Sequence, residues 1–250
     1  MKAAWIGFPR EGDDFWASVE AYAKLGYRGM EGGEGRLKTT DDLERFKKLG
    51  LEVLTVSTSV DDVQKNVDAV IANAKRVGAS RASIWWAAAM SGNADGMDKL
   101  VAEVAAMEKA ATEMAKENIK LCFHNHHTEF FPQYGLPNTI DYMIQNSEKL
   151  WLELDVAWAN YGGAEPVEVM NMYKNRLAAV HIKDYLPSET DMPTFTSLGT
   201  GVMDLVAVLL YLKEIDFEWV VYEQDTMRNL SALESVTLSY LYMKETGLVE

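Results

Sequence analysis

Short apolar, β-forming segments alternate with longer amphipathic segments along this whole chain, and this alternation constrains the fold more than any other feature. Eight such pairs follow one another within 250 residues. Strands that are each followed by a helix form a parallel sheet, and eight pairs at this length favour a closed barrel over an open sheet. The predicted strands span 2–8, 27–31, 51–57, 81–87, 119–126, 151–156, 177–183 and 219–223. The predicted helices span 14–25, 41–49, 60–77, 96–118, 139–147, 166–175, 202–213 and 230–245.

No linker, low-complexity segment or shift in composition interrupts the alternation. We therefore predict one domain over residues 1–250, a single (β/α)8 TIM barrel of the α/β class. In such barrels the active site lies at the carboxyl-terminal ends of the strands. No Gly-x-Gly-x-x-Gly motif follows the first predicted strand, which disfavours a dinucleotide-binding fold.

Charge and cysteine content narrow the choice of partners and location. The formal net charge of −14 argues against a nucleic-acid partner, because a broad nucleic-acid surface needs a basic stripe. The single cysteine, Cys122, excludes an internal disulfide and favours a reducing, cytoplasmic location. The first residues show no signal-peptide pattern, and no apolar run approaches the ~20 residues of a membrane span, so we expect no membrane partner.

All four histidines of the chain fall at the carboxyl ends of predicted strands. His124, His126 and His127 close the fifth strand, and His181 lies near the end of the seventh. Alternation along a strand places His124 and His126 on one face, which we take to be the barrel interior. His127 is out of phase with both, which indicates a loop residue or one that supports the site from outside.

Acidic residues follow the same rule on the neighbouring strands. Glu153 and Asp155 share a face of the sixth strand, with Asp155 nearer the barrel mouth. Glu223 lies near the end of the eighth strand, and Lys183 shares a face of the seventh with His181. Four strands therefore aim chemically active side chains at one region.

The combination predicts a metal site formed by His124, Asp155, His181 and Glu223. Two imidazoles and two carboxylates suit a divalent cation such as Mn²⁺, Co²⁺ or Zn²⁺, with Mg²⁺ as a further candidate. A strand-end histidine alone is more often a hydrogen-bonded structural residue, so the prediction depends on the joint pattern. Taken alone, Glu153 is better explained as a deep barrel residue that pairs with a neighbour.

Four segments carry a family signature: CFHNHHTEF (122–130), LELDVAWANYGGAEPVEVM (152–170), RLAAVHIKDY (176–185) and LGTGVMDLVAVLLYLKEIDFEWVVYEQD (198–225). They resemble the xylose-isomerase-like barrels, and most closely the branch of sugar phosphate isomerases/epimerases with a His-Asn-His signature on the fifth strand. The resemblance is specific over residues 119–225 and generic before them. It implies one divalent-metal site with one ligand from each of strands five to eight, which map to His124, Asp155, His181 and Glu223.

Three departures from the family pattern bear on the reaction. The family's dehydratases and epimerases usually have Glu where His124 stands. Asp155 often begins an Asp-x-x-His pattern, but here Trp158 takes the last place, and the Arg that epimerases often carry soon after the strand-seven His is absent from 183–189. The departures disfavour an epimerase or a simple phosphosugar enzyme. They favour lyase, dehydratase or hydratase chemistry, including inosose dehydration as known elsewhere in the superfamily.

A metal in this set would act as a Lewis acid on a substrate carbonyl and stabilise the enediolate left when a proton leaves the adjacent carbon. His126 is the predicted base, because imidazole titrates near neutral pH. Lys183 would stabilise the enolate oxygen or protonate a departing hydroxyl; the alternative is a salt bridge to Asp155 or Glu223. Further acid/base candidates are Glu129, whose direction after the strand cannot be read, and Glu153.

The aromatic residues fit a small carbohydrate substrate, a keto-sugar or cyclitol. Trp158 and Trp86 are predicted substrate contacts together with Glu153, although any single Trp can instead fill a packing layer. The main alternative to an isomerase, epimerase or lyase is a non-catalytic sugar-binding or regulatory barrel. A metal-dependent endonuclease needs more ligands and a basic groove, which the four histidines and the net charge of −14 disfavour. Related barrels commonly self-associate, so a homo-oligomer is also considered.

Overall fold

The computed structural model of the protein describes residues 1–7, 14–87, 96–188, 192–227 and 230–250. The barrel strands are β1 (Lys2–Ile6), β2 (Gly29–Glu31), β3 (Glu52–Thr58), β4 (Arg81–Ile84), β5 (Lys120–His124), β6 (Trp151–Asp155), β7 (Leu177–Ile182) and β10 (Trp219–Tyr222), and a hairpin consists of β8 (Asp184–Leu186) and β9 (Thr194–Thr196). The eight barrel strands close in the order β1–β10–β7–β6–β5–β4–β3–β2. The predicted (β/α)8 barrel is thereby confirmed.

Helices follow the strands along the chain, as the amphipathic pattern predicts. They are α1 (Phe15–Leu25), α2 (Thr40–Lys48), α3 (Val60–Val77), α4 (Gly96–Ala115), α5 (Thr139–Gln145), α6 (Val156–Tyr161), α7 (Pro166–Tyr173), α8 (Leu205–Glu214) and α9 (Ala232–Glu245). Side chains that accept a backbone N–H of the first turn begin many of them, for example Ser59 at α3 and Ser231 at α9. No helix in the described ranges is both long and apolar enough to span a membrane.

By their internal contacts the residues divide into two compact units. The terminal unit consists of Met1–Val53 and Val180–Glu250, and the central unit is Leu54–Ala179. Within the terminal unit, β1 pairs in parallel with β2 and β10, and β10 pairs with β7. Within the central unit, β3 to β6 pair in parallel in sequence order. A single domain over residues 1–250 stays a prediction.

Several barrel strands end earlier than the sequence pattern predicts, and this removes the basis for predicting the direction of the His126 side chain. β5 ends at His124, so His126 lies two residues beyond the strand and strand alternation does not set its direction. Lys183 and Glu223 likewise follow directly after β7 and β10. Phe8, the predicted last residue of the first strand, lies outside the described residues.

Two further elements were not predicted. α6 follows β6 without a connecting residue, because the side chain of Asp155 accepts the N–H of Trp158 at 2.9 Å and caps the helix. The antiparallel hairpin of β8 and β9 occupies the segment between β7 and α8. α8 begins at Leu205 rather than at 202, because Asp204 caps it.

One carboxylate fixes the path of the segment around the hairpin. Asp184 accepts hydrogen bonds from four backbone N–H groups, those of Tyr185 (2.9 Å), Gly199 (3.0 Å), Gly201 (2.9 Å) and Met203 (3.1 Å). A Cβ atom on Gly201 would lie 2.2 Å from Asp184 Oδ1, so only glycine fits there. The carboxylate therefore anchors the chain directly after Lys183.

Candidate metal and substrate site

The terminal unit contains a buried histidine held between two carboxylates. His181 lies on β7 and is fully buried; its Nδ1 is 2.8 Å from Glu223 Oε2 and its Nε2 is 2.7 Å from Glu31 Oε2. The N–H of Glu223 continues the sheet ladder to the carbonyl of Ile182, which brings its side chain next to the ring. Both nitrogens of this imidazole therefore face carboxylates.

Lys183 extends this arrangement. Its fully buried Nζ lies 2.9 Å from Asp225 Oδ2 and 3.2 Å from Glu223 Oε2, and 5.0 Å from the centre of the Phe195 ring. Burial raises the pKa of the Asp225 carboxyl, and the Lys183 ammonium opposes that shift. Of the two ion pairs considered from the sequence, the one to Glu223 is present. We call Glu31, His181, Lys183, Glu223 and Asp225 the ionic cluster.

In the central unit, His124 ends β5 and is buried against Glu153 of β6. His124 Nδ1 lies 3.4 Å from Glu153 Oε1, which also accepts a hydrogen bond from Ser83 Oγ at 2.9 Å. The two residues are register partners in the β5–β6 ladder, and Glu153 is fully buried. These contacts match the interpretation of Glu153 as a deep residue paired with a neighbour; substrate binding by Glu153 stays a prediction.

Asp155, at the end of β6, is positioned by its own backbone and by the helix that it caps. Asn125 Oδ1 accepts the N–H of Asp155 at 2.9 Å, and Asn125 Nδ2 donates to the carbonyl of Asp155 at 3.2 Å. The middle residue of the His-Asn-His motif thus joins β5 to β6. Sequence reasoning placed Asn125 on the opposite face but assigned it no contact.

Aromatic rings surround His126. Its ring centre lies 4.8 Å from that of Trp86 at an interplanar angle of 29°, 5.6 Å from that of Trp158 and 5.2 Å from that of His124. His127 stacks on Trp158 at 5.0 Å. Trp86 remains 68% exposed in spite of its stacking, whereas Trp85 and Trp158 are buried. We call Trp85, Trp86, His126, His127 and Trp158 the aromatic cluster.

Glu129 is fully buried next to this cluster, in a short 3-10 turn. Its Oε2 accepts the backbone N–H of His126 at 3.1 Å and the hydroxyl of Thr128 at 3.0 Å. Among the described residues, Oε1 has no hydrogen-bond partner. Burial raises the pKa of the Glu129 carboxyl to about 7, in spite of the hydrogen bonds that oppose the shift. The group thus titrates where acid/base catalysts work.

The predicted ligands are all buried and close together. His124, Asp155, His181 and Glu223 each offer one ligand atom, and these atoms lie within 4.8 Å of one another. Two carboxylates balance the charge of a divalent ion, and the mixture of imidazole nitrogen and carboxylate oxygen suits Mn²⁺, Co²⁺ or Zn²⁺. The donor set therefore fits a divalent ion, and this buried cluster could bind one.

The predicted site leaves out two members of the ionic cluster. Glu31 is the last residue of β2, and the rule that selected the other carboxylates, an acidic residue at the carboxyl end of a strand, would have found it. Glu31 also joins Glu153 and His181 in a second set whose ligand atoms lie within 4.8 Å of one another. Asp225 follows β10 by three residues, where the strand pattern carries no signal.

The family model for the xylose isomerase-like TIM barrel matches residues 19–240. The chain therefore belongs to the xylose isomerase-like TIM barrel family. A curated relative, an inosose dehydratase from Geobacillus kaustophilus (strain HTA426), is 31% identical over 86 residues, which span 28% of each protein. The match thus covers less than a third of that relative.

Solved structures with the same fold cover nearly all of the chain. A sugar phosphate isomerase/epimerase from Parabacteroides distasonis ATCC 8503 is 20% identical, with a TM-score of 0.77 over 100% of this chain and 95% of its own. The probable 3-DHS dehydratase AsbF, involved in petrobactin synthesis in Bacillus anthracis, is 13% identical, with a TM-score of 0.76 over 98% of this chain and 99% of its own. At these identities the likeness concerns the fold.

Proposed function

We propose that the protein is a divalent-metal-dependent isomerase, epimerase or lyase that acts on a keto-sugar or cyclitol by removing a proton beside a carbonyl. The observation that carries the proposal is the buried set of His124, Asp155, His181 and Glu223, whose ligand atoms lie within 4.8 Å of one another. Proteins similar to this chain in sequence or fold are named as an isomerase/epimerase and as dehydratases, which is consistent with this range of reactions.

The metal would be Mn²⁺, Co²⁺, Zn²⁺ or Mg²⁺, and when bound it would supply Lewis acidity to the substrate carbonyl. His126 would accept the proton from the carbon beside that carbonyl. Its imidazole stacks on Trp86 at an interplanar angle of 29° and contacts Trp158 at a tilted angle of 48°, and both contacts restrict the ring.

Lys183 and Glu129 would complete the proton transfers. The Lys183 ammonium, fixed by Asp225 and Glu223, would donate a hydrogen bond to the developing negative charge or a proton to a departing hydroxyl. Glu129, with its pKa raised to about 7 by burial, would exchange a proton near neutral pH. A dehydratase would release water from the carbon next to the one that lost the proton; an epimerase would return the proton to the opposite face.

The exposed indole of Trp86 gives the substrate an apolar contact. A pyranose or cyclitol ring presents a face of C–H groups that packs against an indole, and Trp86 is 68% exposed beside the proposed base. Trp158, which also contacts His126, would lie beside the same substrate ring. A small carbohydrate is therefore the proposed partner.

Metal analysis and isotope exchange test the proposal together. We expect about one divalent ion per chain in the purified protein, removal of this ion by a chelator, and its return on addition of Mn²⁺, Co²⁺ or Zn²⁺. Incubation with a panel of keto-sugars and inososes in D₂O should place deuterium on the carbon beside the carbonyl, as read by NMR, only in the loaded protein. Loss of water or a change of configuration then separates lyase from epimerase.

Two results would contradict the proposal. Failure to retain any of these ions would remove the metal site. An ion without deuterium exchange across the panel would instead identify a sugar-binding barrel without catalysis.

A further inference from the structure

Glu31 has no role in the chemistry above, yet it makes one of the shortest contacts of the ionic cluster. Its Oε2 lies 2.7 Å from His181 Nε2, and both side chains are fully buried. A carboxylate is costly to bury unless it is paired and hydrogen-bonded, so the contact with His181 lowers the cost of burying Glu31. The same contact occupies one of the two nitrogens of His181.

The two nitrogens of an imidazole point to opposite sides of the ring, so a single ion can meet only one of them. Glu223, a member of the proposed ligand set, lies on the Nδ1 side, with Oε2 2.8 Å from Nδ1. An ion that binds Glu223 and His181 therefore meets Nδ1. Glu31 lies on the other side, at Nε2.

A nitrogen that binds an ion uses its lone pair, and a neutral imidazole then carries its proton on the other nitrogen. Resting on the proposed function, we propose that Glu31 is the positioning residue of His181. It accepts the Nε2–H hydrogen bond, which selects the tautomer with a free Nδ1 lone pair and fixes the plane of the ring. Glu31 itself stays outside the ligand set.

The backbone at Glu31 is built for a fixed position. Glu31 pairs with Ile6 in the β1–β2 ladder, and its carbonyl accepts the N–H of Gly7 at 2.7 Å. Gly32 and Gly33 follow with φ values of +63° and +72°, and a Cβ atom on Gly33 would lie 2.2 Å from the Gly7 carbonyl oxygen. The strand and the tight turn therefore hold the carboxylate beside His181.

Cobalt binding separates positioning from ligation. The wild-type protein and the variants Glu31→Gln, Glu31→Ala and Glu31→Asp are titrated with Co²⁺, and both the dissociation constant and the visible d–d spectrum are recorded. We expect Glu31→Ala to bind Co²⁺ about 10- to 100-fold more weakly, which is the usual effect of removing the hydrogen-bond acceptor of a metal-binding histidine. Glu31→Gln keeps an acceptor for Nε2–H, so it should lose less than Glu31→Ala and keep the wild-type spectrum.

The matched control is Glu218→Ala, because Glu218 is an exposed carboxylate of the same unit that pairs with Lys2. Its cobalt affinity should equal that of the wild type. Thermal melting of each variant checks folding. If Glu31→Ala does not fold, Glu31→Asp decides, because its shorter carboxylate is drawn back from Nε2 and it should lose more affinity than Glu31→Gln.

Histidine ring NMR of the Zn²⁺-loaded protein reads the tautomer directly, since the chain has only four histidines. We expect His181 to carry its proton on Nε2 in the wild type and in Glu31→Gln, and this signal to broaden or vanish in Glu31→Ala. Equal losses and an altered d–d spectrum for Gln and Ala would make Glu31 a ligand and overturn the inference. Unchanged affinity and ring signals in Glu31→Ala would overturn it while the proposed function stands; absence of metal binding in the wild type would overturn both.

Discussion

His181 and His126 lie in opposite kinds of surroundings. In the ionic cluster, both nitrogens of His181 face carboxylates and no part of the side chain reaches solvent. In the aromatic cluster, His126 stacks on Trp86 and makes a tilted contact with Trp158. Carboxylates fix an imidazole through its nitrogens, whereas indoles fix the plane of the ring. Under the proposed function, His181 of the first region is a ligand of the ion and His126 of the second region acts on the substrate.

Replacing each histidine with asparagine tests whether His181 and His126 have separate roles. His181→Asn should abolish stoichiometric metal binding, because it removes a ligand and the link between Glu31 and Glu223. His126→Asn should keep the ion and lower kcat by about 10²- to 10⁴-fold, the usual contribution of a general base. Metal content and the rate of deuterium exchange measure the two effects. If both variants lose the ion equally, the assignment of separate tasks is wrong.

Lys183→Met tests whether the ionic cluster depends on its cation. The substitution leaves the buried carboxylate of Glu223 and the more exposed carboxylate of Asp225 without the ammonium, and the loss at Glu223 should lower the free energy of unfolding by about 3–5 kcal/mol. Lys2→Met is the control, because its partner Glu218 is exposed and the loss should stay below about 1 kcal/mol. Urea denaturation compares them, and equal losses would contradict the prediction.

Glu129→Gln tests the buried carboxyl beside the aromatic cluster. Its pKa is raised from 4.5 to about 7 in the folded state, so folding favours the protonated form. Stability from this group is complete below pH 4.5 and decreases as the pH rises to about 7, by up to about 3 kcal/mol. Glutamine does not titrate, so the variant should gain stability relative to the wild type between pH 5 and pH 8.

Urea denaturation at both pH values measures the difference between Glu129→Gln and the wild type. Glu218→Gln, an exposed carboxylate, should show a nearly constant difference at the two pH values. A constant difference for Glu129→Gln as well would contradict the raised pKa.

Trp86→Ala should have the smallest effect. The indole is 68% exposed, so the free energy of unfolding should change by less than about 0.5 kcal/mol. KM should rise by about 2- to 10-fold with little change in kcat, as expected for the loss of one stacking contact. The control is Trp16→Ala, which removes an indole of α1 that packs under Arg45 of α2 and should change neither kcat nor KM. A fall in kcat without a rise in KM would place Trp86 in the chemistry instead.

The barrel was predictable because its signals are local. Apolar runs, helix periodicity and caps such as Ser59 appear within a few residues of where they act. The hairpin of β8 and β9 was not predictable, because the bonds that fix its segment join Asp184 to glycines 15 and 17 residues away. α6 was not predictable as a separate element, because it begins directly at the end of β6, where Asp155 both ends the strand and caps the helix.

Some features of the candidate site were likewise predictable from the sequence, and others were not. The closeness of His124, Asp155, His181 and Glu223 follows from one rule, that strand ends of a barrel converge. The same rule points to Glu31, which ends a predicted strand, but its contact with His181, 150 residues away, could not be predicted because no local pattern links the two. The direction of His126 could not be derived, because β5 ends before it and strand alternation no longer applies.

The anchor at Asp184 has a consequence for how this barrel can diverge. The carboxylate binds the backbone N–H groups of residues 185, 199, 201 and 203, and every residue except proline supplies such a group, so the four hydrogen bonds themselves do not use the side chains at these positions. Glycine is required at 199 and 201, where the space for a Cβ atom is filled, and Tyr185, Phe195 and Leu198 are buried, but exposed positions such as Leu186, Met192 and Val202 can vary without loss of these contacts. A loop of this kind, at the mouth of a barrel, allows new specificities to evolve on a scaffold that does not have to be rebuilt.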